Sequence, residues 1–238
     1  LKHIATTLNV KYSNKDKKID IINKLIFPLT PKYNMEHNKV PFSISQSDRR
    51  NYNINNNREI IAQNAVDYLY EKGFIFDKLL GAGGNAIVLQ FKYENGVKAV
   101  KVSYPYKLHE ANNAKSAAKF IQQNKSKCGN YFKYLLDFQY IGKSNNSYFF
   151  CSEIMDNDLF NYINMLNKMS NNDKNAIARK IMCQLIYGIY CIHKMGMIHG
   201  DIKLENILIK FKSLDRPIIK FIDFDGYGTY DVHTGETT

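Results

Sequence analysis

Two periodicities divide this chain near residue 73. Before that point apolar positions recur at helical spacing, first as Leu1, Ile4, Ala5 and Leu8, then as Ile19, Ile22, Leu25 and Ile26. The basic, turn-prone KYSNKDKK separates those two patches. Pro28, Pro31 and Pro41 break structure, and the polar, asparagine-rich SISQSDRRNYNINNNRE, residues 43–59, reads as a linker. Residues 59–72 then predict a helix that leads into the main domain. After residue 73 the pattern changes. FIFDKLL, AIVLQFKY and KAVKVSY predict three strands with short turns. LHEANNAKSAAKFIQQ, residues 108–123, predicts an alanine-rich helix, and YFKYLLDFQYIG and SYFFCSEIM predict strands again. From Asp158 the chain turns helical. NAIARKIMCQLIYGIYCIHKMG is a long amphipathic helix with Ile177, Ile181, Leu185 and Ile189 along one stripe. NILIKF and IIKFIDF close as a pair of short strands. The order is a small sheet with one helix, then a helical part carrying a polar loop, with no internal repeat.

A length of 238 residues suits one domain of two lobes, or a domain with a small appendage, and 45% hydrophobic residues can fill its core. The net charge of +11 is spread along the chain rather than gathered in a tail. It fits an anionic partner such as a nucleotide or nucleic acid, and equally fits plain solubility. Cys128, Cys151, Cys183 and Cys191 form no C-x-x-C pair and read as buried thiols in a reducing compartment. No apolar run is long enough to span a membrane, and LKHIATTLNV lacks the apolar centre of a signal peptide, so an intracellular protein is expected. The chain does not begin with methionine, which suggests a fragment or a processed product.

Three stretches carry candidate chemistry. In LLGAGGNAIVLQF, Gly81, Gly83 and Gly84 lie between two predicted strands. Glycines there let backbone N–H groups approach a phosphate, or simply close a hairpin. In KAVKV, Lys101 is flanked by Val100 and Val102, and faces either a cleft, where it pairs with phosphate oxygens, or solvent. IHGDIKLENILIKF crowds His199, Asp201, Lys203, Glu205 and Asn206 against an apolar run. An aspartate can take or orient a hydroxyl proton, and an amide oxygen can ligate Mg²⁺. Lys203 can neutralise charge on a transferred phosphoryl group. Asp223, in IDFDG at the end of a strand, can hold the same metal.

The order of these parts is more telling than any one of them. A glycine-rich hairpin, a strand lysine, a helix, a His-x-Asp-x-Lys-x-x-Asn loop and an Asp-Phe strand end follow in sequence. The chain thereby resembles the eukaryotic-type protein kinases over roughly residues 71–238. The resemblance implies an α+β, bilobal fold: a small antiparallel sheet lobe with one helix (71–155) and a mainly helical, partial lobe (156–238). Residues 31–70 would be the linker and lead-in helix, and 1–30 a separate two-helix segment. It further implies ATP and Mg²⁺ as cofactors and a protein substrate phosphorylated on serine or threonine. Gly81, Ala82, Gly83, Gly84, Asn85 and Ala86 would cover the phosphates, with Ala86 in the place of a third glycine. Leu80 and Val88 would pack on adenine, and the backbone of Glu153 and Met155, after a Ser152 gatekeeper, would hydrogen-bond it. Lys101 matches the phosphate-contacting lysine and Glu110 is its candidate helix partner. Asp201 matches the catalytic base, Lys203 the lysine of serine/threonine-directed members, and Asn206 and Asp223 the metal ligands. His199 and Phe224 would pack behind the site, and Asp158 would start the first helix of the second lobe.

Several positions depart from that pattern. Gly200 stands where an arginine is usual, which suggests activity without a phosphorylated activation loop. Asp225 replaces the glycine of Asp-Phe-Gly, and Leu204 replaces a common proline. Glu110 lies closer to Lys101 than the usual partner, and in a first turn can instead serve the helix dipole. Only fifteen residues follow Asp223, so the large lobe reads as a truncated piece or as a reduced kinase that needs a partner. His-Gly-Asp with Ile-Asp-Phe-Asp also resembles the aminoglycoside and choline phosphotransferases, and a pseudokinase scaffold is a third possibility. Residues 1–27 weakly resemble a SAP-type nucleic-acid-binding motif, with Lys15, Lys17 and Lys18 toward phosphates and DNA as partner, or else form a helical tether.

Overall fold

The computed structural model describes residues 42, 44–94, 96–167, 170–213 and 216–230. The SAP-like reading of residues 1–30 lies outside the described residues. The polar stretch read as a linker carries a helix. Ser45 accepts a hydrogen bond from the Asp48 N–H at 3.0 Å and opens α1 (Gln46–Asn51). Asn55 does the same for the Arg58 N–H, also at 3.0 Å, and opens α2 (Asn56–Tyr70). The same Ser and Asn residues that suggest a loop act as helix caps. An ion pair between Arg49 and Glu59 joins the two helices. Ala62, Ala65, Val66 and Leu69 bury one face of α2, and Tyr68 stacks on Phe149 at 4.9 Å. The lead-in segment is therefore packed into the small lobe.

Five strands form one antiparallel sheet in the order β1-β2-β3-β5-β4. They are β1 (Ile75–Ala82), β2 (Ala86–Tyr93), β3 (Gly96–Ser103), β4 (Phe138–Ser144) and β5 (Ser147–Ser152). Ile87, Leu89, Val100 and Val102 are fully buried, each stabilising the lobe by about 1.5–3 kcal/mol through burial. Their alternate neighbours Val88 and Lys101 pair directly across β2 and β3, so both side chains stand on the opposite face. The predicted helix is α3 (Leu108–Asn124), which contacts β4 and β5.

YFKYLLDFQYIG is only partly strand. Its first residues end a 3₁₀ segment, Lys125–Tyr134, and the strand begins at Phe138. The apolar residues there do not serve a sheet face: Leu135 is fully buried in the large-lobe core, with Phe132 and Tyr134 packed against it. That core lies under α4 (Leu159–Leu166) and α5 (Asn171–Lys194). It includes Ile177, Ile181, Ile192, Ile207, Ile219 and Phe221. Asp158 caps α4 by accepting the Asn161 N–H at 2.7 Å. Short strands complete the lobe: β6 (Asn157–Asp158), β7 (Met197–Ile198), β8 (Ile207–Phe211), β9 (Pro217–Phe221) and β10 (Gly228–Thr229), paired as β6-β8-β9 and β10-β7. The architecture is α+β, a small antiparallel lobe followed by a mainly helical one.

The cysteines differ from expectation. The 3₁₀ segment packs on the C-terminal half of α5, which brings together two cysteines 63 positions apart. Cys128 and Cys191 form a disulfide with a Cα–Cα distance of 5.0 Å. Cys151 is half-buried and Cys183 is exposed, so the reading of four buried thiols is corrected.

Candidate active site

The site begins at the β1–β2 hairpin. Gly83 N–H donates to the Ala86 carbonyl at 2.9 Å and closes the turn, and Tyr104 N–H donates to the Asn85 carbonyl at 3.0 Å. Leu80 is anchored through its carbonyl, which accepts from the Tyr52 hydroxyl at 3.3 Å. Internal packing does not demand the turn glycines: a Cβ on Gly83 would meet nothing nearer than 4.0 Å, and one on Gly84 nothing within 4 Å. Both glycines are exposed, and the Gly83 N–H is engaged within the turn itself. Beneath the hairpin stands Lys101, half-buried on the same face as Val88.

The catalytic-loop residues come next. His199 is 2% exposed, and its two ring nitrogens hold two chain segments together. Nε2 donates to the Ile222 carbonyl at 2.9 Å and Nδ1 accepts from the Asp201 N–H at 3.3 Å. That pair of bonds requires the neutral ring, and burial pushes the His199 pKa down. The ring also packs on Phe224 at 4.6 Å. Beyond it, Asp201 Oδ2 accepts from Lys203 Nζ at 2.6 Å and from Asn206 Nδ2 at 2.8 Å. The Lys203 hydrogen bond is the chief cause that holds the Asp201 carboxyl below its usual range, so it is ionised at neutral pH. With Nδ2 committed to Asp201, the oxygen of the buried Asn206 amide is the atom it can offer a cation. A bond from the Ile222 N–H to the Asn206 carbonyl at 3.0 Å fastens this loop to the end of β9.

Asp223 follows directly, with a left-handed backbone of φ 67° and ψ 64°. A non-glycine residue held there stores strain, which clusters at functional sites. Its Oδ1 accepts from Lys101 Nζ at 2.6 Å, across 122 positions of chain. Asp225, in the 3₁₀ turn Phe224–Gly226, accepts from the same ammonium at 3.1 and 3.2 Å. Burial alone would lower the Lys101 pKa, and the two carboxylates reverse that and raise it. Burial would raise Asp223, and Lys101 brings it down. Asp225 is pushed up to about 6 by burial, with Asp223 adding to the rise and Lys101 opposing it.

The expected residues are thus sorted. Lys101 and Asp223 meet, and Asp201, Lys203 and Asn206 form one hydrogen-bonded set tied to the same strand end. Glu110 does not join them: it accepts from Lys107 at 3.0 Å, while the carboxylates on Lys101 come from Asp223 and Asp225. Helix α3 bears no other acid, and its inward face is Ala111, Ala114, Ala117 and Ala118. In this structure Glu110 is therefore placed on Lys107 and not on Lys101. Glu153 and Met155 lie in the segment joining β5 to β6. The Glu153 side chain pairs with Lys220 at 2.9 Å, and its carbonyl accepts from the Ser152 hydroxyl at 3.2 Å. Two contacts went unread in the sequence, Asp225 on Lys101 and Asn113 Nδ2 on the Asp225 carbonyl at 3.0 Å. The available signal was a helix without a usable acid alongside an extra aspartate at a glycine position.

A profile described as "Protein kinase domain" matches residues 74–231. The chain belongs to the protein kinase domain family, of the eukaryotic type. A probable serine/threonine-protein kinase, fhkB of Dictyostelium discoideum, is 28% identical over 137 residues, covering 58% of this chain and 12% of that protein. Serine/threonine-protein kinase CG17528 of Drosophila melanogaster is 25% identical over 150 residues, 62% of this chain and 19% of its own length. Serine/threonine-protein kinase 1 of African swine fever virus (isolate Tick/Malawi/Lil 20-1/1983) is 43% identical over 67 residues, 28% of this chain and 20% of its own. The match spans 20% or less of the length of each of these relatives. Among the described residues no helix is long and apolar enough to cross a membrane.

Proposed function

We propose that this chain transfers the γ-phosphoryl group of ATP to serine or threonine hydroxyls of protein substrates. The observation that carries the reading is the meeting of Lys101 Nζ with Asp223 Oδ1 at 2.6 Å, beside the Asp201–Lys203–Asn206 set. The donor set fits a magnesium nucleotide. Among the described residues no three His, Cys, Asp or Glu side chains form a cage of their own. Asp223 and the Asn206 amide oxygen are instead the sparse oxygen set that Mg²⁺ takes together with substrate phosphates. When bound, that cation would supply neutralisation of the phosphate charge.

The chain's own residues divide the remaining work. Gly81 to Ala86 present backbone to the phosphates, and Lys101 holds their α and β oxygens. Leu80 and Val88 offer apolar surface to the base, and the backbone of Glu153 and Met155 offers its edge. Asp201, ionised and fixed from two sides, orients the acceptor hydroxyl and takes its proton, while Lys203 offsets charge on the group in transit. Lys203 and the serine/threonine kinase names of the relatives support serine and threonine as acceptors. An ATP donor supports an intracellular compartment as the site of work.

The test is phosphate transfer from labelled ATP and Mg²⁺ to a protein mixture, run beside choline and an aminoglycoside. Label on serine and threonine of protein is expected, and Asp201→Asn should lower the rate at least about 100-fold. Label on the small alcohols would replace this reading with a small-molecule phosphotransferase. Nucleotide binding without transfer would replace it with a scaffold. Full activity in both Lys101→Met and Asp223→Ala would refute the site.

A further inference from the structure

Lys101 needs a fixed anion, and in this chain helix α3 cannot supply one. The only acid in α3 is Glu110 in its first turn, which is engaged by Lys107 at 3.0 Å. The buried face of the helix is alanine: Ala111 and Ala114 pack with Tyr148 and Phe150 of β5, and Ala117 lies in the core that holds Phe224. The helix reaches the turn through the neutral Asn113 amide and offers no charge. The turn offers it instead. Both oxygens of Asp225 lie within 3.2 Å of Lys101 Nζ.

We infer that Asp225 is the positioning residue for Lys101, a carboxylate carried by the strand-end turn in place of one carried by the helix. The inference rests on the kinase reading above. If Asp223 is to serve a cation, its carboxylate is drawn from the lysine, and Asp225 is the anion that remains. Three contacts keep Asp225 in place. Asn113 of α3 donates to its carbonyl at 3.0 Å. Phe224, the residue before it, stacks on Phe138 and packs on His199. Gly226, the residue after it, lies against Gly200, whose Cβ would stand 2.0 Å from the Gly226 carbonyl oxygen. The two departures from the family pattern, Gly200 and Asp225, are thus parts of one arrangement. The bare glycine makes room for the turn, and the turn brings the carboxylate. A consequence is that the lysine is set by the same segment that bears Asp223, and not by movement of α3.

Steady-state kinetics on the full chain test this with Asp225→Asn, Asp225→Gly, Asp225→Glu and Glu110→Gln. Calorimetric binding of ADP with Mg²⁺, an interaction that needs no transfer step, is measured on the same proteins. Asp225→Asn and Asp225→Gly should each lose about tenfold or more in kcat/KM, with the loss including a higher KM for ATP, and should bind ADP about tenfold more weakly. Asp225→Glu, which keeps the charge, should recover most of both, and Glu110→Gln should stay within about twofold of the parent. A merely structural role for Asp225 would lower the folded fraction without this split between charged and uncharged replacements. The glycine variant is decisive because glycine is the residue the family places there. If Asp225→Gly or Asp225→Asn matches the parent, or if Glu110→Gln costs as much as they do, the inference is overturned. A parent that binds ADP but transfers nothing would defeat the kinase reading, and the binding series would still decide the role of Asp225.

Discussion

Gly200→Ala replaces one hydrogen with a methyl at the tightest contact in the site. Gly200 has φ +82°, a conformation costly to any residue bearing a Cβ, and the added Cβ would sit 2.0 Å from the Gly226 carbonyl oxygen and 2.8 Å from its carbon. The left-handed backbone costs an L-residue about 1–2 kcal/mol. Overpacking into rigid backbone adds about 1–3 kcal/mol. Together these predict a loss of about 2–5 kcal/mol, a large part of the roughly 5–15 kcal/mol that holds a typical domain folded. Any relief must come from shifting Gly226, which would drag Asp225 from Lys101, so activity should fall with stability. The partner glycine is the control. A Cβ on Gly226 would meet nothing nearer than 3.9 Å, so Gly226→Ala should cost less than about 1 kcal/mol. The chain has no tryptophan, so urea unfolding is best followed by far-ultraviolet circular dichroism. Equal losses in the two variants, or a loss below about 0.5 kcal/mol for Gly200→Ala, would refute the steric account. An arginine at this position carries the same Cβ, which is why the residue usual in the family does not fit here.

Two further expectations concern His199 and the cysteines. The folded-state pKa of His199 is lowered, so the unfolded chain protonates first as pH falls. Its contribution to stability is complete above the ordinary histidine value of about 6.5 and is lost as pH drops from there toward the folded value. Urea midpoints measured from pH 8 to 5 should show that decline, and a His199→Gln chain, lacking the titration, should show less of it; identical slopes would argue that the ring is already charged in the fold. Thiol titration of the unreduced, denatured protein should find two reactive groups, Cys151 and Cys183, since Cys128 and Cys191 are paired. Closing a loop across 63 positions predicts about 4 kcal/mol of stability lost on reduction. Four reactive thiols without reductant would remove the pairing.

Much of the site was legible before any coordinates because its parts are local. A hairpin with Gly83 and Gly84, a lysine between valines, and Asp201 five positions before Asn206 are spacings a chain must keep to build a turn, a strand and a loop. The alternation of Ile87, Leu89 and Phe91 marks β2 for the same reason, since a strand turns successive side chains to opposite faces. Where the reading failed, composition concealed a local role or a distant partner. Ser45 and Asn55 look like linker residues until each is seen bonded to an N–H three positions on. Glu110 looks like the partner of Lys101 because it is the one acid in the right helix, yet Lys107 one turn away takes it.

The linear order of residues determined which elements form and which chemical groups they bear, because helix, strand and cap preferences act over a few neighbours. Only the folded chain decided which groups meet. The partners of Lys101 lie 122 and 124 positions away, and Cys128 finds Cys191 across 63. Such pairs are chosen by how α3, the Phe224–Gly226 turn and α5 pack, and packing is settled by the whole core rather than by any short segment.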